Sequence, residues 1–250
     1  AGWAAQPGLR TVQGEVERAL AVVLRAPAGS VAVTVAGRTD TGVHALGQVC
    51  SYAGQPVRVE ALNGVLPDDV AALACQAVDD GFDARRDATS RAYCYRVLAR
   101  RAPSPLLAGR VLWWPHPLDF SLLSKCARAL VGVHDFTAFT PTETEHVRFR
   151  RRVLAAQWRR AGDSDEGGLP EVLEFWIEAD AFMRHMNRVL VGTMLEVAGG
   201  RRPLAGFVEL LEGRPRWQAG PTAAASGLYL VGVGYGGQRV LPQHLSLIHI

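Results

Sequence analysis

One short polar segment gathers the residue types that could do chemistry. Residues 37–45 are Gly-Arg-Thr-Asp-Thr-Gly-Val-His-Ala, with Asp40 at the centre and Arg38 two positions before it. A free aspartate is ionised at neutral pH, so Asp40 could act as a nucleophile or a base rather than as an acid. The glycines allow a ligand to approach the backbone closely. By spacing alone, an aspartate that only caps a turn is the favoured alternative.

Strongly patterned elements stand on both sides of this segment. Apolar residues at helical spacing predict the first helix over residues 11–25, with Thr11 as its N-cap. Valines at alternate positions from Val31 predict a strand that ends at Gly37. Polar loops carried by rigid strands are common places for functional sites. The other elements predicted for this half are a strand over residues 46–52, a short helix over 60–65, and strands over 70–78 and 90–98.

The second half has the same style. Residues 99–117 contain four prolines and predict a crossing between two halves. Residues 182–197 carry the strongest helical pattern, and this helix would place Arg188 off its apolar stripe with Arg184 one turn before it. The other predicted elements are a helix over 121–130, strands over 151–159 and 171–179 joined by a hairpin loop over 161–169, a short helix after Pro203, and a strand over 228–235.

Composition excludes several classes of protein. The chain has 250 residues, 48% hydrophobic and 20% charged, which is typical of a globular protein with a sizeable core. No apolar run reaches the ~20 residues of a membrane helix. The four cysteines lack metal-ligand spacing and are expected to be reduced in a cytoplasmic protein, without metal. The net charge is +3, and Lys125 is the only lysine. Arginine suits phosphate contacts, although a GC-rich genome also explains this bias.

The polar segment resembles the signature of the TruA family of tRNA pseudouridine synthases. Further segments resemble that family in the same order and cover nearly the whole chain. The first strand of the family is missing before Gly2, which we expect to reflect a truncated record, and residues 245–250 do not resemble the family's end. The matching segments are Gly2-Trp3 and residues 62–67, 82–85, 91–95, 134–136, 182–188 and 227–230.

The resemblance implies an α+β fold of two ferredoxin-like or RRM-like halves. Their antiparallel sheets would join side by side, with helices on one face and an active-site cleft between the halves. The expected halves are residues 1–102, which carry the catalytic aspartate loop, and residues 103–244, which complete the cleft. Residues 245–250 are expected to be a non-native tail.

The resemblance also implies an activity and its catalytic residues. The protein would isomerise uridine to pseudouridine at positions 38, 39 and 40 of the anticodon stem-loop of tRNA. Asp40 would be the nucleophile, and Arg188 would pair with it. Arg38 would assist base flipping, and Tyr93 would stack on the flipped base. The reaction would need no cofactor and no metal, and the enzyme would be a cytoplasmic homodimer without a membrane partner.

Several alternatives stay open from the residues alone. Arg38 could bind phosphate instead. Tyr95 lies on the same face of its strand as Tyr93, so spacing alone does not choose between the two tyrosines. Arg184 could contact RNA or be solvated. We use the term arginine track for Arg148, Arg150 and Arg152, which could follow an RNA backbone or form a solvated strand face. The rival function is a catalytically inactive tRNA-binding or RNA-binding protein of the same fold.

Overall fold

A computed structural model describes residues 1–143, 147–161 and 171–242. In chain order its helices and strands are α1 (Val12–Leu24), β1 (Val33–Val35), β2 (His44–Ala45), β3 (Cys50–Tyr52), α2 (Val59–Asn63), β4 (Ala88–Leu98), β5 (Leu112–Trp113), α3 (Phe120–Leu130), β6 (Gly132–Asp135), β7 (Arg150–Arg160), β8 (Val172–Ala179), α4 (Met186–Ala198), α5 (Leu204–Glu209) and β9 (Leu228–Tyr235). The predicted α+β class is confirmed. The predicted tail and residues 162–169 of the predicted hairpin loop lie outside the described residues.

The chain forms two compact units. The first unit comprises residues 1–42 and 47–88, and the second comprises residues 43–46 and the chain from residue 89 onward. The strand β4 therefore belongs to the second unit from Thr89 onward. The division into halves 1–102 and 103–244 stays a prediction.

The first unit is built on α1 and a two-stranded sheet. Thr11 caps α1 by accepting a hydrogen bond from the Gly14 amide, as its sequence position predicts. Strands β1 and β3 pair antiparallel, with Val33 opposite Tyr52. Trp3 and Leu20 are among the buried residues of this unit's core. The helix predicted over residues 11–25 and the strand pair that flanks the polar segment are confirmed.

The strand predicted over residues 70–78 is wrong, because this segment has no regular structure. The side chain of Asn63 occupies both backbone groups of Ala72: its Oδ1 accepts from the Ala72 amide at 2.7 Å, and its Nδ2 donates to the Ala72 carbonyl at 2.9 Å. A side-chain amide thus takes the hydrogen bonds that a neighbouring strand would need.

The second unit is built on a seven-stranded sheet of order β2-β9-β4-β8-β7-β6, with β5 paired to β4. Strand β8 pairs antiparallel with β4 and β7, whereas the two-residue strands β2 and β5 pair in parallel with β9 and β4. The sheet is therefore mixed. The strands predicted over residues 90–98, 151–159, 171–179 and 228–235 are confirmed.

One face of this sheet contributes alternate residues to a large apolar core. Tyr95 on β4 and Phe175 on β8 stand opposite each other in register and are fully buried. Leu123 of α3 and Leu190 of α4 belong to the same core. Burial of this apolar surface fixes the sheet and both helices as one body.

The helix predicted over residues 182–197 begins later than expected, at Met186. His185 precedes it with a left-handed backbone, φ 61°, and a helix cannot extend backward through such a residue. Arg184 therefore lies in the preceding turn, and its predicted place one helical turn before Arg188 is wrong.

Within the described ranges, none of the helices is long and apolar enough to cross a bilayer. In the same ranges, the His, Cys, Asp and Glu side chains form no group of three or more that could hold a metal ion.

Candidate active site

The loop that carries Asp40 is tied at its beginning to the residues before β3. The amide of Ala36 donates to the Val49 carbonyl at 2.9 Å. The side chain of Gln48 donates to the Gly37 carbonyl at 2.7 Å. These contacts fix where the chain leaves β1 and enters the loop.

Residues near the beginning of the chain hold the middle of the same loop. The Trp3 amide donates to the Thr39 carbonyl at 3.0 Å, and the Trp3 side chain is buried in the core of the first unit. A methyl group at Gly2 would lie 2.6 Å from the Thr39 carbonyl oxygen and 2.9 Å from the carbonyl carbon of Asp40. Only a residue without a side chain leaves room for this backbone approach.

The loop presents its two charged residues at different depths. The side chain of Arg38 is exposed, whereas Asp40 is half-buried. The loop ends at Gly42, whose φ of +83° is a left-handed conformation that favours glycine. A half-buried carboxylate on a fixed backbone keeps a defined position while remaining accessible to a reactant.

Arg188 is positioned by the first turn of α4. Every residue of this helix is buried except Arg188 and Glu196, which are half-buried, so the prediction that Arg188 lies off the apolar stripe is confirmed. The Nε of Arg188 donates to the Ala223 carbonyl at 2.7 Å, and its own carbonyl accepts from the Ala223 amide at 3.1 Å. Two contacts to one residue fix both the backbone and the stem of this guanidinium.

Tyr93 and Tyr95 share one face of β4 but differ in their surroundings. Tyr95 is 1% exposed, and its hydroxyl donates to the Ala224 carbonyl at 2.7 Å. Tyr93 is 8% exposed and packs edge-on against Phe182, with ring centroids 5.0 Å apart. Tyr95 is thus a core residue anchored at its polar end. The stacking role of Tyr93 stays a prediction.

The arginines predicted to contact RNA lie at the surface of the second unit. Arg150 and Arg152 are exposed at alternate positions of β7, and Arg148 is exposed before that strand begins. Strand β7 pairs with the edge strand β6. Arg184 is also exposed, and its carbonyl accepts from the Thr140 hydroxyl at 3.1 Å. Their exposure is consistent with both alternatives for the arginine track, contact with an RNA backbone or a solvated strand face.

The two units divide the predicted site residues between them. Arg38 and Asp40 share one loop of the first unit, whereas Tyr93 and Arg188 belong to the second unit. The pairing of Asp40 with Arg188 stays a prediction. His44 stacks on Tyr229 with centroids 4.6 Å apart and shares a hydrogen bond with the Gly109 carbonyl, which are structural contacts within the second unit.

Three positioning residues escape prediction from residue types and spacing. Gly2 and Gln48 hold the Asp40 loop, and Ala223 holds Arg188. Gly2 carries a weak signal, since a glycine next to a tryptophan that enters the core suggests a close backbone approach. Ala223 acts only through backbone groups, so no side-chain pattern could identify it.

Known proteins match the chain over most of its length. A family profile described as tRNA pseudouridine synthase matches residues 126–236. The chain is 41% identical over 240 residues to tRNA pseudouridine synthase A of Thermus thermophilus, covering 94% of this chain and 91% of that protein. It is 39% identical over 246 residues to tRNA pseudouridine synthase A of Burkholderia multivorans, covering 96% and 87%. The chain therefore belongs to the tRNA pseudouridine synthase A family.

Proposed function

We propose that this chain isomerises uridine to pseudouridine at positions 38, 39 and 40 of the anticodon stem-loop of tRNA, with Asp40 as the nucleophile. The observation that carries the proposal is the fixed backbone of the Asp40 loop in a chain of this family. Trp3 and Gln48 hold the loop by hydrogen bonds, and Gly2 packs against its backbone. A nucleophile needs this kind of positioning, because small displacements from the reacting geometry cost large factors in rate.

The chemistry fits a carboxylate. The N-glycosidic bond of uridine breaks, the uracil turns, and carbon 5 joins the sugar while its proton leaves and nitrogen 1 gains one. A carboxylate can add to carbon 6 of the uracil or attack the sugar carbon, and either route gives a covalent intermediate that resolves to product. The isomerisation balances without a redox partner or a cofactor.

The remaining site residues take supporting roles in this proposal. The target base must leave its stack, with Arg38 assisting the flip and Tyr93 stacking on the extruded base. Arg188 pairs with Asp40 and keeps it oriented. Arg184 and the arginine track contact the tRNA backbone. The protein acts as a cytoplasmic homodimer.

The direct test compares Asp40→Asn with the unmodified protein. The variant should give no product, because the amide is a poor nucleophile, while its affinity for tRNA stays within about tenfold, since one loop carboxylate adds little to a phosphate-dominated interaction. Release of tritium from carbon 5 of labelled uridine in tRNA measures turnover.

The matched control is Asp68→Asn, an exposed aspartate of the same unit, which should keep full activity. Normal tritium release by Asp40→Asn would remove the nucleophile from the proposal. Tight tRNA binding without release by the unmodified protein would favour the inactive binding protein.

A second test addresses Arg188. Because its side chain is already fixed by Ala223, Arg188→Ala should remove one oriented charge and slow the single-turnover rate by roughly 10- to 100-fold, the value of a charge-assisted contact. Arg128→Ala removes an exposed arginine from α3 of the same unit and serves as the control. A rate for Arg188→Ala equal to that of the control would reject the pairing with Asp40.

A further inference from the structure

A cavity of about 330 Å³ opens on the second unit, and its lining includes neither Tyr93 nor Arg188. Its lining includes the rings of Phe149 and Trp217, the prolines Pro141 and Pro215, and the side chain of Arg216. The volume lies at the lower end of the ~300–1,000 Å³ of small-molecule sites, which suits one compact group.

Trp217 lines this cavity and is unusually exposed for a tryptophan. It is 79% exposed, which leaves a large aromatic surface in water. An exposed tryptophan at the edge of a cavity is available to stack on a flat partner. Phe149 also lines the cavity and is half-buried, and its carbonyl accepts from the Phe136 amide at 3.0 Å.

Arginines stand next in sequence to residues that line the cavity. Arg148 and Arg150 flank Phe149 in sequence, and both are exposed. Arg214 precedes Pro215 and is also exposed, although it faces Glu212 at 3.8 Å. Arg216 in the lining, together with these neighbours in sequence, gives this part of the surface positive charge, which complements a ligand that combines a flat ring with phosphate.

The segment that lines the cavity continues to the residue that holds Arg188. Arg216 donates from Nη2 to the Thr222 hydroxyl at 3.3 Å, and Ala223 follows with its two contacts to Arg188. The cavity and the predicted catalytic arginine are therefore joined by one short, hydrogen-bonded stretch of chain.

From this arrangement we infer that the cavity is a nucleotide subsite, in which Trp217 stacks on an unpaired base of the substrate tRNA other than the target uridine. This inference rests on the proposed function, which identifies the ligand as tRNA. The bordering arginines contact the phosphates next to that base, and the cavity volume limits the site to a single nucleoside. An apolar peptide segment would pack against the rings and prolines but would offer no negative charge to pair with Arg148 and Arg150.

The experiment measures tRNA affinity and single-turnover rate for Trp217→Ala and Trp217→Phe. Because one base stack contributes ~1–3 kcal/mol, Trp217→Ala should weaken binding at least about fivefold, and Trp217→Phe should restore most of it. The rate at saturating tRNA should stay unchanged in both, because Trp217 does not contact the reacting uridine. Quenching of tryptophan fluorescence by tRNA should fall in Trp217→Phe.

The control is Trp113→Ala, another exposed tryptophan of the same unit, whose Nε1 donates to the Arg100 carbonyl at 3.0 Å. It should leave tRNA affinity unchanged. Equal affinities for Trp217→Ala and the unmodified protein would overturn the subsite. Loss of self-association in sedimentation, with tRNA affinity intact, would also overturn it and assign the surface to a protein contact.

Failure of the subsite is distinguishable from failure of the proposed function. If the unmodified protein releases tritium normally and Trp217→Ala binds as tightly, only the subsite is wrong. If the unmodified protein releases no tritium, the proposed function is wrong. The affinity comparison then still decides whether Trp217 contacts RNA.

Discussion

The two units hold their predicted catalytic residues by different means. In the first unit, Asp40 lies in a loop without regular structure, fixed by backbone contacts to Trp3 and by the close approach of Gly2. In the second unit, Tyr93 and Arg188 lie on a strand and a helix whose neighbours form a large apolar core. A loop site depends on a few specific atoms, whereas a site on packed elements depends on the whole core.

This difference gives separate expectations for mutation. A change that displaces the loop of the first unit should alter activity with little loss of stability, because few apolar residues depend on it. A change inside the second unit should first appear as a loss of stability, because its elements share one core.

The largest expected effect is on the stability of the second unit, through Glu178. This side chain is fully buried and accepts hydrogen bonds from the Ser90 hydroxyl, the amides of Val240 and Leu241, and the Nε of Arg239. Glu178→Ala leaves these donors unpaired and should lower the free energy of unfolding by about 3 kcal/mol or more. Chemical denaturation measures this.

Glu209→Ala, at the exposed end of α5, is the control and should change stability by less than ~0.5 kcal/mol. A Glu178→Ala variant as stable as the control would mean that the polar contacts of this strand contribute nothing. In that case the apolar core alone would define the second unit.

The same carboxylate should give the second unit a dependence on pH. Burial by itself would raise the pKa of Glu178, but the hydrogen bonds that it accepts outweigh burial and lower the pKa below its ordinary value of 4.5. The stability it contributes is therefore complete above pH 4.5 and is lost as the pH falls through the lowered pKa. Glu178→Gln should lose that part of the acid dependence in denaturation midpoints measured from pH 6 to pH 3.

A smaller effect, on activity, is expected from Gly2 in the first unit. The added methyl group of Gly2→Ala must displace the backbone at Thr39 and Asp40, so the single-turnover rate should fall by roughly 10²-fold while tRNA affinity is kept. The rate on tRNA and the dissociation constant are measured separately.

Gly64→Ala is the matched control for Gly2→Ala. Gly64 belongs to the same unit, has φ −69°, and its nearest neighbour would be the Glu60 carbonyl at 3.4 Å, an ordinary contact. It should retain the rate. Comparable rates for the two variants would show that the loop accommodates the methyl group, and the comparison between the units would lose its basis.

The smallest effects concern the helix caps, one in each unit. Thr11→Ala removes the cap of α1, and Asp119→Ala removes the acceptor for the Ser121 and Leu122 amides at the start of α3. Each should cost about 1 kcal/mol. Hydrogen exchange should rise in α1 alone for the first variant and in α3 alone for the second. Faster exchange in both helices from either variant would mean that the two units unfold together.

Local patterns predicted much of this fold. The positions of α1, α3 and β9 follow from local patterns, and α1 also has a predicted cap at Thr11, because these signals lie within a few neighbouring residues. The position of Arg188 off the apolar stripe of α4 follows from the same periodicity. The family signature around Asp40 is also local, since nine consecutive residues carry it.

Other features depended on contacts and backbone conformations that apolar periodicity does not record. Ala72 lies outside any strand because Asn63 binds its backbone, and α4 starts at Met186 because His185 adopts a left-handed conformation. The parallel pairings of β2 and β5 involve two residues each, too few for any periodicity to show.

The sequence by itself determined the α+β class, the core-forming elements and the candidate chemistry of Asp40. The tertiary structure alone decided that Gly2 supports the loop and that Ala223 fixes Arg188. The physical reason is that both contacts use backbone atoms brought together by folding. Nearly every residue carries the same backbone groups, so side-chain patterns carry little record of which of them will meet.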